Sequence, residues 1–151
     1  GQVVQNLEAI KKQEKLAAGK DLASIGVLDG VPLASPALIL AQEYQKRAAS
    51  VGFEFSHLQE VLDKIHEELQ EIHEASTPEA QKEEIGDLLF IVAKLARMLK
   101  IDAEEALRAA NRKFKLRFQR MEGMIRAQQR EFASYRLGEW MKLWERAKIE
   151  N

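Results

Sequence analysis

Two pairs of acidic residues stand out by type and spacing. Glu68 and Glu71 lie in K-I-H-E-E-L-Q-E, Glu84 and Asp87 in E-E-I-G-D-L-L-F, with Ala75-Ser76-Thr77-Pro78 between them. Each pair is spaced i, i+3 in a segment of helical apolar period. At about 100° per residue, that spacing puts both carboxylates of a pair on one side of a helix. If Ser76-Thr77-Pro78 is a turn between antiparallel helices, Glu71 precedes Thr77 by six residues and Glu84 follows it by seven, while Glu68 precedes by nine and Asp87 follows by ten. At about 1.5 Å rise per residue the heights agree to within a turn. Carboxylates brought together repel unless a cation lies among them or some hold protons. A hard-oxygen set suits Mg²⁺ or Mn²⁺, and the chain has no Cys for a softer ion. The alternative is a solvated acidic helix face, since i, i+3 acids are common. The matching heights favour the metal.

The elements that must position these acids all read as helices. Apolar residues at Val3, Leu7, Ile10 and Leu16 predict a helix over 3–18, ended by Gly19. Lys20 to Ser35, with Gly26, Asp29-Gly30 and Pro32, reads as a long irregular connection, either a functional loop, as loops of this length often are, or a connector packed over the bundle through Ile25, Val27, Leu28 and Val31. Ser35-Pro36 reads as an N-cap followed by Pro at the first helical position, giving a helix over 36–51. Ser56, with Gln59 at the capping-box position, opens a helix over 56–75. Thr77-Pro78 opens another over 78–100, and Asp102 with Glu105 one over 102–122. Gln128 to Ser134 reads as loosely packed, before a last helix over 138–148. Leu58, Leu62, Ile65, Leu69 and Ile72 form one apolar stripe, and Ile85, Leu88, Val92, Leu95 and Leu99 another, with Glu68 and Glu84 at their borders. The expected fold is an all-α antiparallel helical bundle in a single domain, 1–151. Its 78–100 helix, with Leu88-Leu89-Phe90-Ile91-Val92, is apolar nearly all round, so homodimerisation is expected to complete the bundle.

Composition narrows the function classes. With 151 residues, 46% of them hydrophobic, the chain is long enough for a real core. A net charge of −1 gives no general pull toward nucleic acid or membrane. The absence of Cys removes thiolate catalysis and disulfide scaffolds and fits a reducing, cytoplasmic setting. The longest apolar run, Leu88 to Ala93, cannot span a bilayer. Because the chain opens on Gly1 rather than Met, further sequence is expected before it. His57, His66 and His73 do not form the paired Glu-x-x-His pattern of di-iron bundles and read as surface or packing residues.

A basic set lies on the 102–122 helix. Lys113, Arg117 and Arg120 fall at i, i+4, i+7 beside an apolar stripe of Leu107, Ala110, Phe114, Phe118, Met121 and Ile125. A nucleic-acid surface would need a broader basic spread with exposed aromatics. The two other readings are a solvated basic face and a grip for phosphates whose far side a metal holds. In the last helix Trp144 and Lys148 are spaced i, i+4; a terminal Trp is by default a docking anchor, and spacing alone does not separate that from stacking on a base.

These residues resemble the MazG-type nucleoside triphosphate pyrophosphohydrolases of the all-α NTP pyrophosphohydrolase superfamily. The acids match that family's E-x-x-E, spacer, E-x-x-D signature, with twelve residues between Glu71 and Glu84. L-D-G-V-P, Q-K-R-A-A-S-V-G-F, A-N-R-K-F-K-L-R-F and L-W-E-R-A-K also look like family segments, so the likeness runs through the whole chain. It is nearest the C-terminal catalytic half of two-domain members. Phe53-Glu54-Phe55 departs from the family, standing where an aspartate and a tryptophan are usual, and Gln128 to Tyr135 is divergent. The resemblance implies that Glu68, Glu71, Glu84 and Asp87 hold Mg²⁺, with Mn²⁺ a possible substitute. It also implies that Lys64, Asp87, Lys113, Arg117, Trp144 and Lys148 contact the nucleotide. The activity expected is hydrolysis of NTP or dNTP to monophosphate and pyrophosphate, with Glu71, or next Glu67, as general base. The alternatives are a related dUTP or single-nucleotide pyrophosphatase and a non-catalytic nucleotide- or partner-binding module.

Overall fold

In the computed structural model of the chain, residues 9–10 and 24–149 are described. They are all-helical, with no strand among them. The order is α1 (Ala37–Ser50), α2 (Leu58–Glu74), α3 (Pro78–Met98), α4 (Ala103–Ala127), a 3₁₀ turn at Phe132–Ser134, and α5 (Leu137–Ile149). The helix expected over 3–18 lies outside the described residues, apart from Ala9 and Ile10, which are helical. The chain forms two compact units, Gly1–Ile101 and Asp102–Asn151.

The helix starts follow local chemistry, with two shifts. Thr77 Oγ1 accepts from the Ala80 N–H at 3.1 Å, and Asp102 Oδ1 accepts from the Glu105 N–H at 3.1 Å. Both caps satisfy donors that a helix leaves free at its first turn. At α2, however, the N-cap is His57 rather than Ser56, and the Glu60 carboxylate accepts from the His57 N–H at 3.0 Å. Gln59, the residue expected in the box, instead donates to Asp63 at 2.8 Å. At α1 the N-cap is Pro36, one residue after the expected Ser35, whose N–H closes a turn onto the Pro32 carbonyl at 3.1 Å.

In the first unit α3 packs against both α2 and α1. The α1 contact is partly polar. Gln45 is buried, and its Nε2 donates to the Phe90 carbonyl at 2.8 Å, while Gln42 Nε2 donates to the Ala93 carbonyl at 2.9 Å. The connection before α1 is held by Arg47, which donates to the carbonyls of Val27 and Asp29. Val31 is buried there and Ile25 half-buried, whereas Val27 and Leu28 are exposed.

The buried line of each acid-bearing helix differs from the stripe read off the sequence. On α2 the buried positions are Val61 and Glu68, and Leu58 and Leu69 are exposed. On α3 they are Ile91, Ala93 and Lys94, with Ile85, Leu89, Val92 and Leu99 exposed. Glu68 is therefore in the packed seam rather than at its border, and much apolar surface of α2 and α3 faces outward in the single chain. Lys94 is 8% exposed, lies 5.2 Å from the Phe55 ring centroid and 5.8 Å from that of Phe53, and has Glu54 3.7 Å away. Glu54 is also bonded by Arg97. Desolvation lowers the Lys94 pKa from its ordinary value.

In the second unit α4 packs against α5 around Met121, Ile125, Tyr135, Leu143 and Ala147. The helix expected to end at 122 runs on to Ala127. A mid-helix Gly such as Gly123 costs about 1 kcal/mol against Ala, and burying Met121 and Ile125 on either side outweighs it. The stripe is less buried toward the N-terminus, where Leu107 and Phe114 are exposed. Gln128 to Ser134 is exposed throughout, as expected of a loosely packed segment, but hydrogen bonds tie it to its neighbours. Tyr135 is buried and its hydroxyl donates to Gln128 at 2.8 Å. Arg130 lies over the Tyr135 ring at 3.9 Å, donates to the Ser134 carbonyl at 3.1 Å and pairs with Glu139 at 2.7 Å.

Candidate metal and active site

The α2–α3 hairpin delivers the acids to one place. One carboxylate oxygen each from Glu68, Glu71 and Glu84 lie within 4.8 Å of one another. Asp87, one turn along α3 from Glu84, is exposed and lies outside that set. Glu68 is 4% exposed, Glu71 and Glu84 half-buried. Two oxygens, Glu68 Oε2 and Glu84 Oε2, are buried with no hydrogen-bond partner. Leaving a buried carboxylate oxygen unpartnered is costly, more so than for a neutral group. A hard divalent cation held by the converging carboxylates would offset this cost, so the donor set fits Mg²⁺ or Mn²⁺.

Without such a cation the cluster stabilises itself with a proton. The Glu84 carboxyl is pushed up from 4.5 to about 7, first by sharing a hydrogen bond with Glu71, then by Glu68, partial desolvation and the like charges. The unfolded chain releases this proton near the ordinary value, whereas the folded chain keeps it until about 7. Folding takes up a proton in that window, so the contribution of Glu84 to metal-free stability falls as pH rises through it and is constant above. In chelator, the melting temperature of wild type relative to Glu84→Gln is expected to fall between these pH values, and Mg²⁺ to restore it above them. A relative melting temperature that rises or stays flat would mean that the proton is not shared.

The remaining sequence-derived candidates are placed as follows. Lys64 Nζ lies 3.2 Å from Glu67 and 3.3 Å from Glu68, and these partners raise its pKa. Glu67 itself is exposed. In the second unit Lys113 is exposed, and the Arg117 guanidinium lies over the Trp144 ring at 5.4 Å with its Nε buried and unpartnered. Arg120, on the same expected basic face, donates to the Ala147 carbonyl at 3.2 Å and so ties α4 to α5. Trp144 is half-buried against Phe114 at 5.7 Å. With Phe118, Met121, Trp140 and Met141, these two rings line an open apolar cleft of about 350 Å³. Lys148 is exposed, 3.4 Å from Glu145. His57, His66 and His73 are all exposed. Sequence reasoning missed Gln45, Glu54, Lys94 and Arg97. Their only sequence signal was polar residues interrupting helical or apolar runs, which is also how a solvated face reads.

Residues 56–121, which contain all four acids, match the MazG nucleotide pyrophosphohydrolase domain. This segment is similar to that domain. The likeness extends over the rest of the chain. It is 42% identical over 142 residues to the nucleoside triphosphate pyrophosphohydrolase/pyrophosphatase MazG of Thermotoga maritima, covering 93% of this chain and 53% of that protein. It is 38% identical over 152 residues to the nucleoside triphosphate pyrophosphohydrolase of Escherichia coli K12, covering 97% and 56%. The uncharacterized protein YabN of Bacillus subtilis is 39% identical over 150 residues, 30% of its own length. The chain thus spans about half the length of the two named hydrolases it matches, and the MazG domain lies within that span.

Proposed function

We propose that this chain binds Mg²⁺, with Mn²⁺ as a substitute, through Glu68, Glu71, Glu84 and Asp87. With it the chain hydrolyses nucleoside triphosphates, ribo or deoxy, between the α- and β-phosphates to monophosphate and pyrophosphate. The observation that carries this reading is the convergence of three carboxylate oxygens within 4.8 Å, with two buried oxygens left unpartnered. The names of the relatives support the substrate class. When bound, Mg²⁺ supplies neutralisation of phosphate charge and acidifies water. Glu71 accepts the proton from the attacking water. It is half-buried within the cluster, whereas Glu67, the second choice, is exposed and paired with Lys64. The family resemblance supports Lys64 in the first unit, and Lys113, Arg117 and Lys148 in the second, as phosphate donors, and Trp144 as a ring for the nucleoside.

The outward apolar residues Leu69, Ile85, Leu89 and Val92 support a homodimer in which a second copy covers α2 and α3. No helix among the described residues is long and apolar enough to cross a membrane, and the Cys-free sequence suits the cytoplasm. Incubation with a panel of NTPs and dNTPs plus Mg²⁺ is expected to release monophosphate and pyrophosphate in equal amounts, from protein that light scattering shows as a dimer. No metal-dependent product from any triphosphate would leave a binding module as the better reading.

A further inference from the structure

Lys64 stands on α2 one turn before Glu68, with its Nζ 3.3 Å from Oε1 of that buried carboxylate and 3.2 Å from Oε1 of the exposed Glu67, which can keep hold of it when Glu68 is taken. The other oxygen of Glu68, Oε2, is buried and has no hydrogen-bond partner. The Lys64 side chain is 38% exposed, against 6% for Glu68. A flexible, half-solvated ammonium therefore caps a fixed, buried anion. An ammonium and a divalent cation draw on the same carboxylate charge, so each weakens the hold of the other. A lysine stem is long and mobile enough to leave without moving the helix.

We propose that Lys64 is the exchangeable counter-ion of the acid cluster: it pairs with Glu68 while no divalent cation is bound, and is released toward the triphosphate when one is. The inference rests on the metal reading above. It makes binding ordered. Before the cation arrives, the cluster repels phosphate and Lys64 is engaged. Afterwards the same binding event has removed the repulsion and freed a phosphate donor one turn away. Lys64 is thereby a positioning residue that links metal occupancy to nucleotide affinity.

Amine acylation read by mass spectrometry tests this on the protein alone. Mg²⁺ without nucleotide is expected to raise Lys64 acylation severalfold, and a non-hydrolysable α,β-methylene triphosphate to lower it again, while the exposed Lys82 and Lys115 stay unchanged. Calorimetry gives an independent readout. Lys64→Met should bind Mg²⁺ in the absence of nucleotide roughly twofold to fivefold more tightly, as expected on removing a partly solvated competing ion pair. Lys64→Arg should stay close to wild type, and Lys82→Met should match it if the effect is specific to the pair. Mg²⁺ binding that leaves Lys64 acylation unchanged, or Lys64→Met and Lys82→Met shifting affinity equally, would overturn the exchange. Failure of the wild type to bind Mg²⁺ at all would overturn the metal reading beneath it.

Discussion

Glu68→Gln is expected to abolish hydrolysis while leaving the helices intact. Glu68 is the most buried of the acids and shares a 4.8 Å cluster with Glu71 and Glu84. Exchanging its carboxylate for an amide removes a full ligand charge at nearly constant volume. Metal-supplied charge stabilisation amounts to several kcal/mol, so turnover should fall by about 10³-fold or more. Stability should respond in the opposite sense. In the absence of metal the substitution relieves like-charge repulsion, and an amide can donate to Glu84, whose Oε2 is otherwise unpartnered. The metal-free melting temperature is therefore expected to stay level or rise, and the gain from added Mg²⁺ to disappear. Asp87→Asn should also lower metal affinity and turnover, with no change in fold, because Asp87 is exposed. Loss of helicity or a large fall in melting temperature in Glu68→Gln would show that the acids hold the hairpin together, and the metal assignment would be dropped.

The second large effect is expected at Arg117. A triphosphate carries about four negative charges, and one Mg²⁺ leaves roughly two that need basic donors. Arg117 has a forked donor resting on the Trp144 ring, with a buried Nε that has no partner. The guanidinium is thus preoriented, and Lys113, one turn earlier, is exposed and free to move. If these two stabilise charge developing on a pyrophosphate leaving group, Arg117→Ala should cost roughly 2 to 4 kcal/mol, seen in turnover as well as binding. Arg117→Lys should recover part of this, since the charge is kept and the fork lost. The products of the residual activity should remain monophosphate and pyrophosphate. Orthophosphate and a diphosphate would instead put the cleaved bond at the γ-phosphate, and this role for the basic helix would be wrong.

What could be read from the sequence was set by local rules. The caps at Thr77 and Asp102 depend on residues three apart, the all-helical character on period, and the meeting of Glu68, Glu71 and Glu84 on counting residues from one turn. Periodicity fixes which residues share a face but not which face a neighbour covers. Of the stripes that looked like core, Leu58 to Ile72 and Ile85 to Leu99, Leu62, Ile65, Ile72, Leu88 and Leu95 are half-buried, whereas Leu58, Leu69, Ile85, Val92 and Leu99 are exposed. The seam runs instead through Val61, Glu68, Ile91 and Lys94, because α1 brings Gln42 and Gln45 against the α3 backbone. Whether a polar side chain is solvated or buried depends on partners far away in sequence. Lys94 is buried because Glu54, Phe53 and Phe55 return to it from the loop after α1. Likewise Arg130 closes a segment that reads as loose because Glu139 and Tyr135 lie within its reach. The residue types and their spacing pointed to the chemistry proposed; packing between distant segments decided which acids are buried, which cations are engaged and which apolar face stays exposed.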